Sequence, residues 1–169
     1  MKKKSLWIMV AVVLVMAAVL VACTSGITVA TMLDAACFRD GNTAKYTPEM
    51  LVTCDGTEVA AYRNGKWEDP YELGFLQPQF TDNNAVALDL KESDIKDAKF
   101  TADETKGFTA MQAKFANASK SLGVKDAADA TIYVRIATET KALQEMEIRY
   151  SVTRNDRVYQ VVVRSQLAA

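Results

Sequence analysis

Few side chains of this chain could do chemistry, because it contains no histidine. Without histidine there is no Ser-His-Asp triad, no Cys-His pair and no histidine-containing zinc site. Carboxylates alone could still supply a general acid and a general base, and the candidates are two of Asp34, Asp89, Asp94 and Glu145. No spacing forces two of them to face each other. We therefore expect a protein that is not an enzyme, with no catalytic residue, no metal site and no cofactor.

The first of three cysteines follows a segment that is typical of an export signal. Lys2, Lys3 and Lys4 supply positive charge, and residues 6–22 form an unbroken apolar run of 17 residues. As a helix this run spans about 25 Å, short of the roughly 30 Å hydrocarbon core of a membrane. A processed signal over residues 1–22 therefore fits better than a spanning helix. The alternative is a short uncleaved anchor, with Cys23 a buried thiol.

The residues at the end of this run, Leu20-Val21-Ala22-Cys23, resemble the lipobox of bacterial lipoproteins. The resemblance implies cleavage before Cys23 and attachment of diacylglyceryl and a further acyl chain such as palmitate. Two or three acyl chains would fix the protein to the membrane. The implied location is the extracytoplasmic face of the cell membrane, or the outer membrane of a Gram-negative cell, because Thr24 replaces the inner-membrane retention aspartate.

The mature chain would then consist of a lipidated tether, residues 23–27, and one domain, residues 28–169. Without the three lysines of the signal, the mature chain has 17 basic and 21 acidic side chains, which gives a net charge of −4. This balance gives no attraction to nucleic acid. The membrane, reached through the lipid, is the first partner that we expect.

Two further cysteines, Cys37 and Cys54, remain in the exported part of the chain. Export favours disulfides, and two cysteines allow one connectivity. On the chain-entropy model the bridge would stabilise the fold by about 3 kcal/mol. The alternative is two buried free thiols.

Hydrophobic spacing predicts the elements of the amino-terminal half. Residues 28–38 read as a helix. Residues 50–54 read either as a short helix ended by Asp55-Gly56 or as a strand that enters a hairpin there. Asn64-Gly65 predicts a second hairpin between short strands.

The carboxy-terminal half predicts one long helix and a sheet. Over residues 103–122, Phe108, Met111, Phe115 and Leu122 recur at helical spacing, and a glycine follows. Strict alternation then predicts three antiparallel strands in a meander, around residues 132–136, 146–152 and 159–163. Together these patterns predict an α+β fold, with N-terminal helices and a long amphipathic helix packed on a curved antiparallel sheet.

A binding pocket between that helix and the meander is the site that we expect. Its predicted walls are Trp67, Tyr71, Phe108, Met111 and Phe115. Clustered aromatic side chains can line a cavity mouth, and they also serve as ordinary core packing.

The sequence of residues 29–42, an apolar helix that ends in an acidic and glycine-containing turn, resembles the opening of the nuclear-transport-factor-like, cystatin-related α+β cone. This resemblance covers residues 28–166. Enzymes of that superfamily use an aspartate and histidine pair that this chain lacks. A second resemblance, at residues 62–67 and 136–143, is to half-barrel lipoprotein carriers of the bacterial envelope, which hold acyl chains.

Two functions follow as expectations. The first is a non-catalytic binding module for a small ligand, a lipid or an envelope partner. The second is a structural or assembly lipoprotein that acts through protein contact, with a filled core and an exposed apolar patch.

Overall fold

A computed structural model describes residues 26–63, 65–69 and 72–168. The predicted signal, Cys23 and Tyr71 lie outside the described residues. Within them, eight strands form one antiparallel sheet in the order β3-β2-β1-β8-β7-β6-β5-β4. The strands are β1 (Tyr46–Cys54), β2 (Thr57–Arg63), β3 (Lys66–Glu68), β4 (Ile95–Asp103), β5 (Phe108–Phe115), β6 (Ala127–Ala137), β7 (Leu143–Arg154) and β8 (Arg157–Leu167).

Two short helices accompany the sheet in the described part of the chain. The first, α1 (Val29–Ala36), is capped by the Thr28 hydroxyl, which accepts a hydrogen bond from the Thr31 amide at 3.3 Å. The second, α2 (Ala118–Leu122), ends at Gly123, whose φ of 66° is the left-handed conformation that glycine adopts without strain. Single 3₁₀ turns cover Leu73–Leu76 and Glu92–Asp94. None of these helices is long and apolar enough to cross a membrane.

The predicted long helix over residues 103–122 is wrong. This stretch contains the end of β4, a turn, β5 and α2. Along β5, Met111, Ala113 and Phe115 are buried while Gln112 and Lys114 are exposed, which is the two-residue period of a strand. Helical spacing also matched this stretch because its large apolar residues happen to lie three and four positions apart.

The fold class must be corrected accordingly. The molecule is mainly an eight-stranded antiparallel sheet, and no long helix packs on it within the described residues. The α+β fold that the hydrophobic patterns predicted, and that the resemblance of residues 29–42 implied, depended on that helix. What is confirmed is the carboxy-terminal meander, which is β6, β7 and β8.

The hairpin predicted at Asn64-Gly65 is confirmed, and the open choice for residues 50–54 is decided. For residues 50–54 the strand alternative is right and the helix alternative is wrong, since β1 turns at Asp55-Gly56 into β2. Alternate residues Met50, Val52 and Cys54 are buried, as one side of a half-buried strand requires. The second hairpin joins β2 to the three-residue edge strand β3.

The core lies on one face of the sheet, which we call the inner face. Alternate side chains of the central strands are buried there, among them Ile132, Val134 and Ile148, each fully excluded from solvent. Helix α1 packs on β6 and β7 over this face. The buried 3₁₀ residues Leu73 and Leu76 belong to the same core.

A hydrogen bond fixes the Leu73–Leu76 turn to the sheet. The hydroxyl of buried Tyr150, on β7, donates to the backbone carbonyl of Leu76. Burial raises the pKa of Tyr150, so the hydroxyl remains a donor over the whole physiological range. The turn is thereby held at the end of β7 where the candidate site lies.

Candidate functional site

The pairing of the arginines distinguishes one end of the sheet from the rest of the molecule. The chain has seven arginines, all within the described residues. Five of them form ion pairs with carboxylates: Arg39, Arg63, Arg135, Arg149 and Arg164. The other two, Arg154 and Arg157, form no ion pair with any described residue.

The largest group of paired arginines lies on the outer face of the sheet. On the outer face, Glu147 exposes only 11% of its side chain and accepts hydrogen bonds from Arg149, at 2.7 Å, and from Arg164. Burial alone would raise the pKa of Glu147, but these two hydrogen bonds outweigh it and lower the pKa. Glu145 sits between Arg135 and Arg164, at 3.2 and 3.6 Å. Every arginine of this network therefore has a carboxylate partner within the chain.

Arg154 and Arg157 instead face each other across the β7–β8 hairpin. They are direct register partners on either side of the Asn155-Asp156 turn, where φ is 50° and 58°. That turn requires left-handed conformations that Asn and Asp tolerate. Like charges directly opposite each other destabilise a sheet. The protein therefore keeps an unfavourable pair of cations at this end.

Arg154 is held in place by an aromatic ring. Its guanidinium carbon lies 4.2 Å from the centroid of the Phe75 ring, close enough for a cation–π contact. Phe75 belongs to the turn that the Tyr150 hydroxyl fixes, and 44% of its surface remains exposed. The contact orients the guanidinium without neutralising its charge.

Arg157 lines an open cleft of about 500 Å³, and its register partner Arg154 lies next to it, outside the described lining. The cleft is bounded by the β1–β2 hairpin, the start of β8 and the Leu73–Leu76 turn. Its described lining residues are Cys54, Asp55, Thr57, Val59, Leu73, Arg157 and Tyr159. We call it the hairpin cleft. Its size falls within the roughly 300–1,000 Å³ of small-molecule sites.

A β-bulge shapes one wall of the hairpin cleft. Val52 pairs with Ala60 and Thr53 with Glu58, so Val59 is an extra residue without a register partner on β1. A bulge of this kind re-aims side chains and is common beside functional sites. Here it places the Val59 side chain in the cleft wall.

The chemistry of the hairpin cleft is that of binding. Asp55 is the one carboxylate among its described lining residues, and it accepts a weak hydrogen bond from the Cys54 thiol at 3.8 Å. Two carboxylates facing each other, as acid–base catalysis requires, are absent from that lining. No described group of His, Cys, Asp and Glu side chains could hold a metal ion.

The predicted pocket residues are not brought together. Met111 and Phe115 are buried in the core, while Phe108 lies on the opposite, outer face of the same strand, where the Arg135 guanidinium covers it at 5.2 Å. Trp67 is half-buried on the edge strand β3. The long helix that would have formed one wall of that pocket is a strand.

None of the four candidate carboxylates is among the described lining residues of the hairpin cleft. Asp34 and Asp89 both approach Arg39, at 3.7 and 2.8 Å, and both are well exposed. Asp94 accepts the Lys91 amide in a 3₁₀ turn, and Glu145 belongs to the outer-face network. Each of these side chains has a structural role.

The predicted disulfide between Cys37 and Cys54 is wrong for a bond within one chain. Both thiols are free. Phe38, next to Cys37, stacks edge-on against Tyr46 at the start of β1, with ring centroids 5.4 Å apart. Cys54 ends the same strand, eight residues and about 26 Å further on, whereas bridged Cα atoms lie within about 7 Å.

Sequence reasoning missed Arg154 and Arg157, although a signal was present. An Asn-Asp turn between two alternating strands predicts a two-residue hairpin, which places its flanking residues opposite each other. Those flanking residues are both arginines. The local sequence therefore suffices to predict a like-charge pair at this position.

Comparison with known proteins gives no family for this chain. No family model matches it, and neither a curated protein nor a solved structure is significantly similar.

Proposed function

We propose that this protein is a membrane-anchored lipoprotein of the extracytoplasmic face whose domain binds a small ligand, without catalysis, in the hairpin cleft. The observation that carries the binding part is the pair of arginines, without a carboxylate partner among the described residues, at a concave surface of mixed polar and apolar character. Because this pair of like charges weakens the unliganded fold, its retention favours a role in binding.

The anchor part rests on the sequence around Cys23. We expect Cys23→Ala to block lipid attachment, so that the uncleaved precursor accumulates. Metabolic labelling with a tagged fatty acid and gel mobility measure this. A variant that is labelled and processed like the wild type would contradict the anchor.

The binding part is tested by native mass spectrometry of the protein purified from its own envelope. We expect the wild type to carry a bound small molecule, and the double variant Arg154→Gln, Arg157→Gln to lack it. Lys66→Gln, which removes an exposed cation from β3, is the matched control and should retain the molecule. Equal occupancy in all three proteins would refute the cleft as the site.

A second candidate function is contact with an envelope protein. It is favoured by Phe75, a large apolar side chain that exposes 44% of its surface beside Arg154. An empty wild-type protein that cross-links to one envelope protein, in a manner lost in Phe75→Ser, would favour this candidate.

A further inference from the structure

We infer that the hairpin cleft takes a small anionic amphiphile, meaning one carboxylate or phosphate head group on a short apolar chain. This inference rests on the proposed function and names the chemical class of its ligand.

The head group is assigned from charge. Arg154 and Arg157 are the two arginines without a carboxylate partner in the described chain, and they are cross-strand neighbours. Guanidinium groups bind carboxylate and phosphate oxygens through paired, charge-assisted hydrogen bonds. An anion between the two would replace their repulsion by attraction.

The chain of the ligand is assigned from the walls. Half-buried Val59 gives the cleft an aliphatic surface and half-buried Tyr159 an aromatic one, while the exposed Phe75 ring contacts Arg154 outside the lining. A free inorganic anion would leave these apolar surfaces exposed to water. Their burial would contribute about 25 cal/mol per Å² to the binding of an apolar chain.

Asp55 limits the charge of the head group. Its carboxylate lines the same cleft as Arg157 and would repel a ligand with several negative charges. The balance of two cations and one anion suits a head group of one to two negative charges. Neutral and cationic amphiphiles leave the arginines uncompensated.

Calorimetric titration tests this assignment on the full chain in zwitterionic nanodiscs. The probes are octanoate and octyl phosphate, with octanol and octyltrimethylammonium as controls for the apolar chain. Heats from empty nanodiscs are subtracted from those of the wild type and of the Arg154→Gln, Arg157→Gln variant, because partition into lipid is common to all. Unfolding midpoints of the variants check that they are folded.

We expect saturable binding of octanoate and octyl phosphate to the wild type, weakened at least tenfold in the double variant and unchanged in Lys66→Gln. Octanol binding as tight as octanoate, or no saturable heat with either anion, would overturn the inference. A negative titration together with an arginine-dependent bound mass in native spectra would leave the proposed function standing and reject this ligand class.

One further titration distinguishes an anion that comes from the membrane lipid from one that comes from solution. In it, phosphatidylglycerol nanodiscs replace the zwitterionic ones. If a membrane lipid head group fills the cleft, octanoate binding is lost in anionic discs and the free-ligand form of the inference is overturned. If the ligand comes from solution, octanoate binds equally in both.

Discussion

The substitution Arg157→Glu is expected to stabilise the free protein while it abolishes ligand binding. In the wild type, Arg157 lies directly opposite Arg154, and neither has a carboxylate partner among the described residues. The change replaces a repulsive cross-strand pair by an attractive one. Most substitutions in folded proteins destabilise them, so a gain in stability is a distinctive outcome.

The size of the gain follows from the geometry. Cross-strand charge pairs contribute roughly 0.2–1 kcal/mol, and exposed pairs lie at the lower end of that range. Removing the repulsion and adding the attraction gives about 1 kcal/mol. The new carboxylate also approaches Asp55 in the same cleft, which offsets part of the gain. We therefore expect a net stabilisation of about 0.5 kcal/mol, or roughly 1–2 °C in Tm.

Thermal and urea unfolding of the full chain in detergent, at low and high salt, measure this gain. In 1 M NaCl the Debye length falls to about 3 Å, so the difference between variant and wild type should nearly vanish. Arg135→Glu is the matched control: Arg135 lies directly opposite Glu145 and pairs with it at 3.2 Å, so reversing its charge should destabilise. A destabilised Arg157→Glu, or a gain that is insensitive to salt, would refute the reasoning.

Three further predictions address the fold. Ala113→Lys should destabilise the protein by several kcal/mol, because it buries a charge, while Gln112→Lys on the exposed side of the same strand should have little effect; urea titration compares them. Glu147→Gln should lower the free energy of unfolding at neutral pH, and its difference from the wild type should shrink as pH falls below about 4.5. The reason is that the lowered pKa of Glu147 gives stability that is lost when the carboxylate is protonated. Intact mass before and after reduction should be identical for the monomer, because both thiols of the domain are free; a two-dalton increase would contradict the strand geometry.

The carboxy-terminal strands were predictable because their pattern has one interpretation. Along β7, Met146, Ile148 and Tyr150 are buried and alternate with charged residues, and no helical spacing fits that series. The turn residues Asp55-Gly56, by contrast, fitted both a helix end and a hairpin, and the pairing of β1 with β2 and β8 decides for the hairpin.

The stretch around Phe108 could not be assigned from spacing because two periods fit it. Phe108, Met111 and Phe115 match a helix, while Met111 and Phe115 with the small Ala113 match a strand. What decides is the pairing of β5 with β6 and β4, a long-range interaction that the local sequence does not contain. The predicted pocket failed with the helix that was to form its wall.

The hairpin cleft was only partly accessible from sequence. The turn that places Arg154 opposite Arg157 has a local signal. The bulge at Val59, the approach of Phe75 to Arg154 and the absence of a carboxylate partner all depend on tertiary packing. Charge pairing across a fold is known only once the faces of its strands are known.

Hydrogen exchange read by mass spectrometry, with and without saturating octanoate, tests most directly that the hairpin cleft is the binding site. We predict slower exchange in peptides that cover residues 54–59, 72–76 and 154–159, which surround the cleft. The peptide over residues 108–115 lies on another part of the sheet and should be unaffected. Protection confined to residues 108–115, or absent from all three cleft segments, would contradict the account.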